Sequence, residues 1–140
     1  LKKRIKIVNE LSKSNEVATD RDTLSIILRN LISNAIKFTN INGRIVVTEK
    51  IESDHHRIGV LDNGIGIPEE IKQKIFDSDA SSTRFGTSQE KGRGVGLLIV
   101  KDLVFQLGGQ LWIEDNPGGQ GTAFYFTLLE GNEATQDTTP

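Results

Sequence analysis

RNLISNAIKF, residues 29–38, has the spacing of an amphipathic helix but carries two asparagines four residues apart, Asn30 and Asn34, with Lys37 three residues further on. Asn costs up to about 0.7 kcal/mol relative to Ala in a helix interior, because its amide competes for backbone hydrogen bonds. On a helical wheel Leu24, Ile27, Leu28, Leu31, Ile32, Ala35 and Phe38 share one broad apolar sector, the face that predicts a core. Asn30, Asn34 and Lys37 fall together in a stripe roughly 60° wide beside that sector. An amide at the border of a core offers a ligand both a donor and an acceptor, and its carbonyl suits a hard cation. With a lysine one turn on, the stripe suits a polyphosphate; solvated polar positions at the helix edge are the bland alternative.

Composition narrows the classes. The chain has 140 residues, enough for one domain with its own core. It is 36% hydrophobic and 26% charged, as an ordinary globular protein is. A net charge of −2 gives no global electrostatic case for nucleic acid or a membrane surface. The absence of cysteine excludes disulfides, thiolate zinc sites and thiol catalysis. No apolar run approaches the ~18 residues of a membrane span, and no signal peptide is present. The chain starts at Leu1 and contains no Met, which reads as an excised piece of something longer; a cytoplasmic location is expected, with a parent that is soluble or membrane-anchored.

Strands are expected at 5–8, 16–19, 44–51 and 57–61, with a polar turn at 52–55, so that His55 and His56 lie in the hairpin turn between the last two of these strands. Asp20 or Asp22 caps a helix running to about Phe38. Pro68 followed by Glu69 and Glu70 starts a short helix ending near Phe76. A third helix covers 94–107 with Gly108 placed to end it. Strands at 110–114 and 123–129 flank an Asn-Pro-Gly-Gly turn. From Asp77 to Lys91 only Ala80 and Phe85 are apolar, which predicts a mobile surface loop. The domain is expected to span 1–130, with a polar, disordered tail at 131–140. The order of elements predicts an α+β chain, a two-layer sandwich with helices on one face of a mixed sheet.

Two glycine boxes carry the chemistry. Val60-Leu-Asp-Asn-Gly-Ile-Gly-Ile-Pro68 is a strand ending in Asp62 and a Gly-x-Gly turn. A carboxylate there accepts a hydrogen bond from an exocyclic amine such as that of adenine, and glycine lets a flat ring approach the backbone. Gly92-Arg-Gly-Val-Gly-Leu97 opens into a helix whose free N–H groups and dipole favour an anion. No Gly-Lys pair and no Gly-x-Gly-x-x-Gly exists, so neither a Walker A loop nor a Rossmann fingerprint is present.

As a set, these segments resemble the ATP-binding catalytic domain of sensor histidine kinases, in the GHKL superfamily that also holds gyrase and the MutL proteins. Asn30 to Thr39 is similar to that family's N box, Asp62 to Pro68 to its G1 box, Ile75-Phe76 to the start of its F box, Gly92 to Leu97 to its G2 box, and Gly119 to Thr122 to its last glycine segment. The resemblance implies a Bergerat-type ATP-binding fold. It implies that Asn34 coordinates Mg²⁺ on the phosphates, that Asn30 and Lys37 contact phosphate oxygens, and that Asp62 holds the adenine amine. Gly64, Gly66 and Ile67 would shape the base pocket, Gly92, Gly94, Val95, Gly96 and Leu97 would close over the triphosphate, and Thr122 would line the pocket near adenine. Residues 77–91 would form an ATP lid.

The resemblance further implies a kinase that delivers the γ-phosphoryl group to a histidine on a dimerisation helical hairpin outside this chain, within a two-component pathway that ends on a response regulator receiver domain. The fragment would be a monomer and its parent a homodimer. Where the family often has Thr, this chain has Arg93, which is expected to offset charge on the transferring group alongside Asn30 and Lys37. Superfamily hydrolases resemble one another in placing Glu, a general base, where Asn30 stands; an amide takes no proton from water, which favours transfer over hydrolysis. His55 and His56 read as solvated turn residues. A serine kinase of the anti-sigma-factor type and a non-catalytic ATP-sensing module are the rival readings.

Overall fold

A computed structural model of the chain describes residues 4–10, 20–52, 54–75 and 95–129. The strand expected at 16–19, the loop at 77–91, Phe76, Gly92, Arg93, Gly94 and the tail at 131–140 lie outside the described residues.

The asparagine helix forms as its spacing predicts. Helix α1 runs Arg21–Phe38, and the Asp20 carboxylate caps it by accepting from the N–H groups of Asp22 (3.0 Å) and Thr23 (3.3 Å). Ile27, Leu31, Ala35 and Phe38 are buried on its core face, with Leu24, Leu28 and Ile32 packed at its margin. Four further elements follow the expected order with small shifts at their ends. They are β2 (Arg44–Glu52), β3 (His55–Asp62), α2 (Glu69–Lys74) and α3 (Val95–Gln106), after a first strand β1 at Lys6–Asn9. Strands β4 (Leu111–Asp115) and β5 (Thr122–Leu129) close the chain.

The sheet has five strands in the order β1-β2-β3-β5-β4. Strands β1 and β2 are parallel and the remaining neighbours antiparallel, so the sheet is mixed. Alternation along each strand sends Ile45, Val47, Ile58, Val60, Phe124, Phe126 and Leu128 to one face, where they are buried with α1 and α3. This is the expected two-layer α+β sandwich, with the helices on one face. Among the described residues no helix is long and apolar enough to cross a membrane.

The histidine turn is corrected. Strand β3 begins at His55, two residues earlier than expected, and both histidines belong to it. His56 lies in register with Ile58 and Val60 on the covered face and is 2% exposed, its Nδ1 2.8 Å from Glu49 Oε2. His55 stays half-buried between Glu52 and Asp54. A cross-strand carboxylate is what lets an imidazole end a buried strand row, and no local pattern in the sequence announces that partner.

Helix α3 is apolar on nearly every side, yet Phe105 is 81% exposed while Val100 and Val104 are buried. Leu31→Ala should therefore lower the unfolding free energy by about 2–5 kcal/mol, whereas Phe105→Ala should change it by less than about 0.5 kcal/mol. Urea midpoints at unchanged slope test both values, and a comparable loss in the two variants would contradict the assigned core.

Candidate functional site

Asp62 stands where β3 leaves the sheet. Register places it on the helix-covered face with Ile58 and Val60, and it is fully buried. Its Oδ1 accepts from the backbone N–H of Gly64 (2.9 Å) and of Thr122 (3.2 Å). Its Oδ2 is buried with no hydrogen-bond partner. Burial pushes this carboxyl up to about 6, against the two N–H donors that lower it. The group is a carboxylate with one oxygen fixed and the other offered to something that donates.

Two other buried side-chain atoms share that condition. Among the described residues, Asn34 Nδ2 and Thr122 Oγ1 complete the set of buried side-chain nitrogens and oxygens without a partner. Native proteins satisfy nearly all such atoms, because each orphan costs about 1–3 kcal/mol. The family resemblance implies a ligand contact at each of these three residues. Asn34, at the margin of the core stripe, is 6% exposed.

Asn30 is half-buried and turned differently. Its Nδ2 donates to the Ile26 carbonyl one turn back (2.8 Å), which engages one of its two hydrogens. Its Oδ1 faces α3: a Cβ added to Gly96 would lie 2.9 Å from it. Gly96 thus allows the first turn of α3 to lie against Asn30. Lys37 is half-buried in the last turn of α1, where its charge also complements the helix dipole. Leu97 is buried in the core, and Val95 opens α3.

Glycine sets the remaining geometry by close approach. A Cβ on Gly64 would sit 1.8 Å from the Phe38 carbonyl oxygen, and Ile65 N–H donates to that same oxygen at 3.0 Å. The turn after Asp62 therefore rests on the C-terminus of α1, one residue past Lys37. Gly66 has φ +81°, a conformation that a side chain would strain, and it brings Ile67 back into the core. Gly121, at φ +117°, lies against Asp62 from the other side; a Cβ there would be 1.9 Å from the Asp62 carbonyl oxygen. Gly64 and Gly121 so hold Asp62 between α1 and the β4–β5 turn.

That turn contributes two residues the sequence reading did not select. Asn116 Nδ2 donates to the Asp62 carbonyl (2.8 Å) and Gln120 Nε2 to the Gly64 carbonyl (2.9 Å). Their partners are 54 and 56 residues away, so no local signal marks them. Lys72 of α2 reaches the same turn through Asp115, at 2.5 Å.

Gly64→Ala should destabilise the chain by about 1–3 kcal/mol or more, since the colliding atoms are backbone. The raised Asp62 carboxyl has a signed consequence. The folded chain binds this proton more tightly than the unfolded one, so the contribution of Asp62 to stability falls as pH rises from about 4 to about 6 and is flat above. Asp62→Asn, neutral throughout and able to accept the same two N–H groups, should gain on the parent by up to about 3 kcal/mol between pH 4 and 7. Urea unfolding of both proteins across that range measures it, and a pH-independent difference would contradict the raised value.

Known proteins share this fold. The family model described as histidine kinase-, DNA gyrase B-, and HSP90-like ATPase matches residues 19–132. The chain is 37% identical over 123 residues to the sensor histidine kinase AruS of Pseudomonas aeruginosa, covering 81% of this chain and 12% of AruS. It superposes on the nucleotide-free catalytic domain of the histidine kinase ThkA with a TM-score of 0.73 at 33% identity, over 91% of this chain and 81% of that one. Full-length ShkA, solved in complex with AMPPNP, gives a TM-score of 0.73 at 29% identity over 91% of this chain and 26% of ShkA. The chain belongs to the histidine kinase-, DNA gyrase B- and HSP90-like ATPase family, and within it to the ATP-binding catalytic domains of sensor histidine kinases.

Proposed function

We propose that this domain binds Mg²⁺-ATP between α1, the Asp62–Pro68 turn and the N-terminus of α3, and delivers the γ-phosphoryl group to a histidine on a dimerisation helical hairpin of its parent protein. The observation that carries this reading is the trio of buried, unpartnered polar atoms on Asn34, Asp62 and Thr122. Asp62 Oδ2 would accept from the adenine amine, with Thr122 beside it. Gly66 and Ile67 would border the base. Lys37 and the free hydrogen of Asn30 Nδ2 would meet phosphate oxygens. Gly92, Gly94 and Gly96, with Val95 and Leu97, would bring the α3 N-terminus to the triphosphate.

The metal fits this set. Among the described residues no group of three His, Asp or Glu could hold an ion. Mg²⁺ keeps several waters and takes one or two protein oxygens plus substrate phosphates, so a single amide carbonyl from Asn34 suffices. When bound it would neutralise phosphate charge. The amide of Asn30 offers water no general base at that position, which supports transfer to a protein acceptor over hydrolysis. The pathway would be a two-component one, with a response regulator receiver domain as the final acceptor, on the cytoplasmic side where ATP is supplied.

Calorimetry with ATP and Mg²⁺ should show binding that Asp62→Ala weakens about 10–100-fold, the worth of a hydrogen bond to a charged group. Asn34→Ala should remove the Mg²⁺ dependence of that affinity. Incubation with γ-labelled ATP and a separately produced acceptor hairpin should label the hairpin histidine. Arg93→Ala should slow that transfer while leaving ATP affinity intact. Tight ATP binding with no label on the acceptor would leave a nucleotide-sensing module as the correct reading.

A further inference from the structure

The carboxylate of Asp62 is held by two N–H groups, but its direction depends on the peptide that carries it. That peptide lies at a break in the sheet. Asn63 N–H donates to the Arg44 carbonyl on β2 (3.2 Å). In an antiparallel ladder successive residues turn their backbone groups to opposite neighbours, so the N–H and C=O of Asp62 face away from β2, toward β5. The β3–β5 register ends at Leu61 opposite Ala123, and the N–H of Thr122, the next β5 residue, donates to Asp62 Oδ1 (3.2 Å) and not to the Asp62 carbonyl. The Asp62 carbonyl is thereby left to another donor.

The side chain of Asn116 fills that position. Its Nδ2 reaches the Asp62 carbonyl at 2.8 Å. Its own orientation is fixed at two points: Oδ1 accepts the Gly118 N–H (2.8 Å), and its backbone N–H donates to the Gly121 carbonyl (3.0 Å). Gly121 lies against the same Asp62 carbonyl, where any Cβ would collide. A side-chain amide thereby replaces a ladder bond at the one residue whose carboxylate is freed from the sheet to face a ligand.

We propose that Asn116 is a positioning residue for base recognition, fixing the Asp62 peptide so that Oδ2 meets the exocyclic amine of the nucleotide. This rests on the reading of Asp62 as the base contact. Asn116 itself touches no nucleotide; it acts through Asp62. Gln120, donating to the Gly64 carbonyl, supports the next peptide in the same way.

The test compares affinities for ATP and for purine riboside triphosphate, which lacks the amine, at pH 8 with Mg²⁺, by calorimetry. The unaltered chain should prefer ATP by about 10–100-fold. In Asn116→Ala and Asn116→Asp that preference should collapse to about twofold or less, while affinity for the amine-free nucleotide stays within about threefold. Asn116→Asp retains an oxygen for the Gly118 N–H and so preserves the turn if alanine does not. A purely structural role would weaken both nucleotides together and leave their ratio unchanged, which would overturn the proposal. Unfolding of both variants, followed by their melting curves, would also overturn it by assigning Asn116 to stability alone. Equal affinity of the unaltered chain for the two nucleotides would instead sink the Asp62 contact, and this inference with it.

Discussion

A carboxylate removed from water dominates the design of this domain. Burying an ionisable group is unfavourable unless its oxygens are paired, and Asp62 has only one of its two oxygens satisfied from within the chain. The structure around it supplies two backbone donors, a carbonyl staple from Asn116 and close backbone contacts on both sides. Such a half-satisfied group persists because sheet, helix and turn all constrain it. A ligand donor at Oδ2 would remove the remaining deficit, so the same feature that weakens the empty fold favours the occupied one.

The glycines act chiefly through what they let come close. Gly64 against the Phe38 carbonyl joins the Asp62–Pro68 turn to the helix that carries Asn30, Asn34 and Lys37. Gly96 against Asn30 does the same for the N-terminus of α3. These contacts are made by backbone and short side-chain atoms, which cannot yield as a flexible side chain would. The two ends of a nucleotide, base and phosphates, would therefore meet surfaces set at a fixed separation by one joint at the C-terminus of α1. Gly66 differs, being a conformational requirement more than a packing one.

Much of this was legible in order and spacing. The wheel of α1 placed Ile27, Leu31, Ala35 and Phe38 in the core but Asn34 outside it, where the structure buries it, and the strand-Asp-Asn-Gly-x-Gly pattern marked the carboxylate that ends β3. Helix ends followed from Asp20 and Pro68. Illegible features share one physical cause, a partner distant in sequence. His56 was read as a turn residue because its carboxylate, Glu49, sits across a strand pair and only the register brings them together. Asn116 and Gln120 read as ordinary turn residues because turns favour such amides for local reasons. Nor could composition show that Asn30 donates to its own helix while its oxygen faces Gly96.

Asn30 also bears on the choice between hydrolysis and transfer, and the structure sharpens the reason. A general base needs a lone pair that can gain a proton, together with a clear line to water. Asn30 has neither: its carbonyl oxygen is non-basic and faces the α3 backbone, and part of its NH₂ is held by Ile26. What it retains is one donor hydrogen, suited to an anionic oxygen whose charge grows as a phosphoryl group departs. With no base at position 30 and the donor kept, the proposed site would favour holding ATP intact until an acceptor arrives. On the proposed reading, reaction would depend on bringing a second nucleophile to the phosphate, which would make geometry between domains, and not chemistry within this one, the step that a signal can control.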